Sequence, residues 1–190
     1  MNGLVLAGGK SRRMGIDKGA LHYRGKAHRE FTADLLNEVC ESSFISCRKD
    51  QLSSVNSQYQ LIVDSYSNLG PFGGMLTAFE SNPHSAWMIV ACDFPHLDAA
   101  TIKQLAEARD PNKIATCFLN PNNNIPEPLI TIWEPRAYPI FQNFLNQGYF
   151  SPKSILVNTD VKEIQVENKL CLENVNEKKE YDLIVKTFAK

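Results

Sequence analysis

The chain lacks any stretch approaching the ~20 consecutive apolar residues of a membrane helix. Its opening, Met1-Asn2-Gly3-Leu4-Val5-Leu6, lacks the basic segment and long apolar segment of a secretory signal. It also lacks an excess of charge: 20 Lys and Arg stand against 21 Asp and Glu, a net −1. A general nucleic-acid binder carries a surplus of cations on one face. That class is excluded, while a local basic pocket for one phosphorylated ligand is not. There is no C-x-x-C, and the five cysteines (Cys40, Cys47, Cys92, Cys117, Cys171) are odd in number and widely spaced. A disulfide framework or zinc site does not fit that pattern; a reducing, cytoplasmic setting does. No internal repeat is present, and the one biased patch, Asn120-Pro121-Asn122-Asn123-Asn124, reads as an exposed turn.

What is present is an ordinary core-forming composition. Of 190 residues, 43% are hydrophobic and 22% charged, enough to bury a full core as one domain over residues 1–190. Strand-like and helix-like segments alternate. Residues 3–7, 44–48, 59–63, 114–119, 129–133 and 161–166 read as strands. Residues 87–91 (Trp-Met-Ile-Val-Ala) form a continuous apolar run, the pattern of a strand buried on both faces. Helices are expected over 27–41, 73–81, the segment after the N-cap candidate Asp98, 135–147, the segment after Ser151-Pro152, and 177–188. This alternation predicts an α/β fold with a mainly parallel sheet covered on both faces. Ligands of such sheets bind outside the carboxyl ends of the strands, so the loops there are the ones to read.

The first such loop runs Ala7-Gly8-Gly9-Lys10-Ser11-Arg12-Arg13-Met14-Gly15-Ile16-Asp17-Lys18. It is neither the P-loop nor the dinucleotide-binding fingerprint. Adjacent glycines let backbone amides approach a phosphate as a nest. Lys10, Arg12, Arg13 and Lys18 set four cations within nine residues. The plain alternative, a glycine turn with solvated charges, fits four cations directly after a buried strand less well. Further on, Cys92-Asp93-Phe94-Pro95 ends the apolar run. A carboxylate there is costly without compensation. Mg²⁺ would supply it, whereas a turn or cap role would leave Asp93 structural; the residues alone leave both readings open.

The loop Leu6-Ala7-Gly8-Gly9-Lys10-Ser11-Arg12-Arg13-Met14-Gly15-Ile16-Asp17-Lys18 resembles the signature loop of the molybdenum cofactor guanylyltransferases, and Cys92-Asp93-Phe94-Pro95 resembles their metal-binding motif. The resemblance implies a three-layer, Rossmann-like, mixed and mostly parallel sheet of the nucleotide-diphospho-sugar transferase type. It implies transfer of GMP from GTP to the phosphate of molybdopterin or the molybdenum cofactor, with Mg²⁺ on Asp93 and release of pyrophosphate. Relatives that prefer cytidine carry alanine more often where Gly8 stands, so Gly8 tilts the base choice to guanine. Arg13, Lys18 and Asp93 take the catalytic roles. Nucleotide contacts fall on Leu6, Ala7, Gly8, Gly9, Lys18, Asp64, Gly70, Gly73, Gly74 and Asp93, the middle group through a match to a G-P-x-x-G-M loop. Transient contact with other cofactor-biosynthesis proteins is implied as well.

The resemblance thins after residue 100. Glu127, between Pro126 and Pro128, either reaches the site or sits in an edge-strand turn. Asn174-Val175-Asn176 resembles the family's N-x-N motif, or caps a helix through Asn176. Ser46-Cys47-Arg48 stands where relatives often have a nucleotide-touching asparagine. No histidine shows ligand spacing, and Trp87 and Trp133 read as core. A CTP-dependent or sugar-phosphate transferase, and a nucleotide-binding adaptor without turnover, are the alternatives.

Overall fold

Strand formation follows the apolar runs. β1 (Asn2–Leu6) and β4 (Trp87–Ala91) are buried along their whole length, as expected of strands covered on both faces. In chain order the remaining elements are α1 (His28–Asn37), β2 (Ser42–Cys47), β3 (Gln60–Val63) and α2 (Pro71–Ser81) before β4. After it come α3 (Ala99–Glu107), β5 (Ala115–Asn120), β6 (Ile125–Trp133), α4 (Tyr138–Asn146), α5 (Pro152–Asn158), β7 (Lys162–Gln165) and α6 (Lys178–Phe188). The structure, a computed structural model, describes residues 1–9, 17–175 and 178–188.

One seven-stranded sheet has the order β3-β2-β1-β4-β6-β5-β7. β1 is parallel to β2 and β4, β2 to β3, and β5 to β7; β6 is antiparallel to both β4 and β5. This is the mixed, mostly parallel sheet expected. α1 contacts α3, and α2 contacts α4. Successive side chains of a strand point to opposite faces. On β1, Gly3 lies against Leu36 of α1, whereas Leu6 lies against Gly74 of α2. The two helix pairs therefore cover opposite faces, giving three layers. Trp87 and Trp133 are fully buried; Trp133, Phe72, Phe79 and Phe141 form an aromatic cluster with centroids 5.0–5.6 Å apart.

The chain runs leftward from β1 through β2 to β3, then returns through α2 to β4 on the other side of β1. The strand order reverses between β1 and β4, a switch point where the connections diverge and leave a crevice. Register aligns the two ends: Leu6 pairs Ala91, and Cys92 N–H donates to Leu6 O at 3.3 Å.

Two expectations need correction. Residues 126–128 are not an edge-strand turn. β6 lies between β4 and β5, and its pairing with β4 reaches only Ile130, so Pro126 and Pro128 project past the end of β4 where no ladder bond is lost. The helix expected over 135–147 is divided: Pro135–Ala137 form a 3-10 turn, and α4 follows. Elsewhere Asp98 and Ser151 cap α3 and α5 as expected, accepting from Thr101 and Ser154 amides.

His28, the first residue of α1, is 1% exposed, and burial pushes its ring down to about 4. An unfolded histidine titrates near ~6.5. The unfolded chain therefore takes the proton first, and stability from the neutral ring is complete above ~6.5 and lost as pH falls toward 4. The stability advantage of the parent over His28→Phe should shrink by on the order of 3 kcal/mol between pH 7 and pH 4. Chemical denaturation of both proteins across that range checks it; an advantage that stays constant with pH would contradict it.

Candidate active site

The strand ends meet in one crevice because their pairing continues past the sheet. Ala7 N–H donates to Ser46 O at 3.0 Å, and Asp64 N–H to Cys47 O at 2.9 Å. A cavity of about 740 Å³ opens there. The first loop lines it with Leu6, Ala7, Gly8, Gly9 and Lys18, and the middle of the chain with Asp64, Gly70, Gly74 and Asp93. Gly73 is not among the lining residues; a Cβ there would meet Tyr66 O at 3.0 Å, so its smallness serves packing of α2. Gly70 caps α2 with φ +58°, a left-handed conformation that favours glycine. Lys10, Arg12 and Arg13 lie outside the described residues.

Lys18 and Asp93, 75 residues apart in sequence, come together: Lys18 Nζ is 3.8 Å from Asp93 Oδ2. Asp93 Oδ1 is sealed from solvent and has no hydrogen-bond partner among the described residues. Burial pushes the Asp93 carboxyl up, and Lys18 pulls it partly back. The neighbouring Cys92 thiol is pushed up to about 12 by burial and by Asp93. No group of three or more His, Cys, Asp or Glu side chains suited to a metal occurs among the described residues. One carboxylate with an unbonded oxygen fits Mg²⁺, which binds through one or two carboxylates and otherwise keeps water or phosphate oxygens.

Asp64 shapes the other side of the cavity. Its Oδ1 accepts from Ser46 Oγ at 2.5 Å. A Cβ at Gly8 would lie 2.1 Å from Asp64 Oδ2, and one at Gly74 would lie 2.7 Å from Ser46 Oγ. Both glycines are thus needed for the carboxylate to reach the cavity. Burial pushes the Asp64 carboxyl up, opposed by the Ser46 hydroxyl and by Arg48.

Sequence reasoning missed the residues that hold the first loop. Gln51 Nε2 donates to Ala7 O at 3.1 Å and to Asp17 Oδ2 at 2.8 Å, tying together the two ends of the loop. Asp17 is also bonded by Arg29, whose side chain is 2% exposed, at 3.0 Å. Arg48 donates to Gly8 O at 2.8 Å and Gly9 O at 2.9 Å, and pairs with Asp50 through two bonds of 3.0 Å. Arg48 stands two residues beyond Ser46, and nothing in its spacing announces a loop 40 residues upstream.

The second half contributes as well. Leu129 lines the cavity. Glu127 Oε1 accepts from Leu129 N–H at 3.0 Å; burial pushes its carboxyl up, and Asp93 is close enough to add to that. Val175 N–H donates to Asp93 O at 2.8 Å, so the Asn174-Val175 segment abuts the site, while Asn176 lies outside the described residues.

A glycine-lined crevice at the switch point of a mixed, mostly parallel sheet is where an α/β protein of this kind binds its ligand. Residues 3–160 match the family model of the MobA-like NTP transferase domain, and the chain belongs to that family. It is 35% identical over 183 residues to a molybdenum cofactor biosynthesis bifunctional protein of Synechocystis sp., covering 96% of this chain; the chain spans about half of that protein, 53% of its length. It is 26% identical to a molybdenum cofactor guanylyltransferase of Pseudomonas fluorescens (strain Pf0-1), over 85% of this chain and 81% of the relative. In fold it is similar to the molybdopterin-guanine dinucleotide biosynthesis protein A of Archaeoglobus fulgidus, with a TM-score of 0.81, 21% identity, and coverage of 100% and 99% of the two chains.

The packing of Gly8 on Asp64 yields a stability test. Gly8→Ala should destabilise by roughly 1–3 kcal/mol through overpacking. Adding Asp64→Ala should recover most of that loss, so the cycle is strongly non-additive. Thermal unfolding of the parent, both single variants and the double variant reads it; additive shifts would mean the two groups do not meet.

Proposed function

We propose that this chain transfers the guanylyl group of GTP to the phosphate of molybdopterin or the molybdenum cofactor and releases pyrophosphate. The observation that carries the reading is the Lys18–Asp93 pair, 3.8 Å apart, on a cavity backed by Gly8 and Gly9. An acceptor phosphate oxygen attacks the α-phosphorus in line. A P–O bond forms there as the bond to the bridging oxygen breaks, and the electron pair leaves with pyrophosphate. No protein nucleophile is needed.

Each residue has a defined task. Lys18 places an ammonium beside the reacting phosphates and stabilises charge developing on the leaving group. Arg13, outside the described residues, is assigned a matching role as a guanidinium by its place in the opening loop of the sequence. Gly8 and Gly9 let backbone amides approach phosphate oxygens without a Cβ between. Asp64 offers a carboxylate to the N1–H and N2–H₂ edge of guanine or to ribose hydroxyls. Asp93 would hold Mg²⁺, which when bound neutralises phosphate oxygen charge. Glu127 and the Asn174-Val175 segment lie near Asp93, which supports an acceptor position there.

The same reading treats residues 1–190 as one nucleotidyltransferase domain, working in the cytoplasm, with transient contact to other cofactor-biosynthesis proteins. One continuous sheet and buried free thiols at Cys47, Cys92, Cys117 and Cys171 support the first two. No described helix is long and apolar enough to cross a membrane.

Lys18→Ala and Asp93→Asn should each lower turnover with GTP and molybdopterin by at least roughly 10²-fold. Asp93→Asn should leave the thermal midpoint unchanged or higher, because it removes a buried charge that the fold pays to hold. Pyrophosphate release and thermal unfolding measure the two halves. Parental turnover in a folded Asp93→Asn protein would defeat the mechanism.

A further inference from the structure

The turn that carries Asp93 is held by donors from outside it at four consecutive carbonyls. Asp93 O accepts from Val175 N–H at 2.8 Å, Phe94 O from His28 Nε2 at 3.1 Å, Pro95 O from Arg24 Nη1 at 2.9 Å, and His96 O from Cys171 Sγ at 3.0 Å. β4 ends at Ala91, so no sheet ladder supports this stretch. The donors come from only two segments: the approach to α1, and residues 171–175. Neither adjoins the turn in sequence.

His28 is held by packing as well as by its hydrogen bonds. A carbonyl can only accept, so Nε2 of His28 carries the proton. The ring is 1% exposed, edge-on to Tyr23 at 5.0 Å and stacked on Phe31 at 6.0 Å. Its backbone N–H donates to Leu21 O at 2.8 Å. The Arg24 guanidinium lies 4.6 Å above the same Phe31 ring, so both donors share one aromatic support.

A buried carboxylate with an unbonded oxygen tends to relieve itself by turning its backbone toward water. Four pinned carbonyls remove that escape. We propose that His28, together with Arg24, Cys171 and the Val175 amide, is a positioning clamp that keeps the Asp93 carboxylate on the cavity wall and thereby sets its affinity for a divalent cation. This rests on Asp93 being the metal-binding carboxylate. Supports of this kind around a metal ligand are commonly worth ~10–100-fold in metal affinity.

The test is Mn²⁺ binding, followed by electron paramagnetic resonance, in protein saturated with a non-hydrolysable GTP analogue. His28→Phe keeps an aromatic ring and lacks the donor; His28→Gln restores an N–H without the ring. His28→Phe should weaken Mn²⁺ binding by roughly tenfold or more. His28→Gln should recover most of the loss. Affinity for the analogue in EDTA, read by calorimetry, should stay at the parental value in both. Parental Mn²⁺ affinity in His28→Phe, or no recovery in His28→Gln, overturns the clamp. Should His28→Phe not fold, Cys171→Ala against Cys171→Ser makes the same comparison from the opposite segment. Asp93→Asn separates the two levels. If it retains parental Mn²⁺ affinity, the metal reading falls and the clamp with it. If it abolishes binding while His28→Phe does not weaken it, the clamp alone falls.

Discussion

A largely buried carboxylate, Asp93, facing the Lys18 ammonium in the crevice beyond β1 and β4 is the constraint around which this molecule is arranged. Solvent would relax such a carboxylate, and the fold denies solvent to its Oδ1. Lys18 compensates one oxygen of Asp93 and leaves the other unbonded among the described residues. Keeping that imbalance requires the surrounding backbone to be immobile. The register of β1 on β4 brings the two loops together, and the antiparallel β6 brings Leu129 to the cavity.

Space is the second currency of the site. Gly8 and Gly74 are small because Asp64 and Ser46 occupy the volume that side chains there would fill. A methyl group at Gly8 cannot coexist with Asp64 as it is placed here, so an alanine requires the carboxylate to move.

Around these side chains the backbone is held from a distance. Gln51, Arg29 and Arg48 hold the first loop; His28, Arg24, Cys171 and Val175 hold the turn at Asp93. Most of these bonds end on main-chain carbonyls, which carry no sequence identity. Apart from Val175, which lies within Asn174-Val175-Asn176, their donors therefore follow no motif, and the sequence reading assigned those others no role. By contrast, Gly8, Asp64 and Asp93 sit just past apolar runs that are visible as strands, and Lys18 closes the glycine- and cation-rich loop after the first of them, which is why they could be read directly.

The linear chain by itself determined the alternation of strands and helices, the burial of β1 and β4, and the residue types that a phosphate ligand needs. These are local properties: apolar periodicity, glycine freedom, and clustered charge. Tertiary structure alone decided that Lys18 faces Asp93, that Gly8 yields its volume to Asp64, that Gly73 serves packing, and that Pro126 and Pro128 lie in an interior strand. Each of these depends on strand order and register, which bring together groups tens of residues apart and which no spacing along the chain encodes.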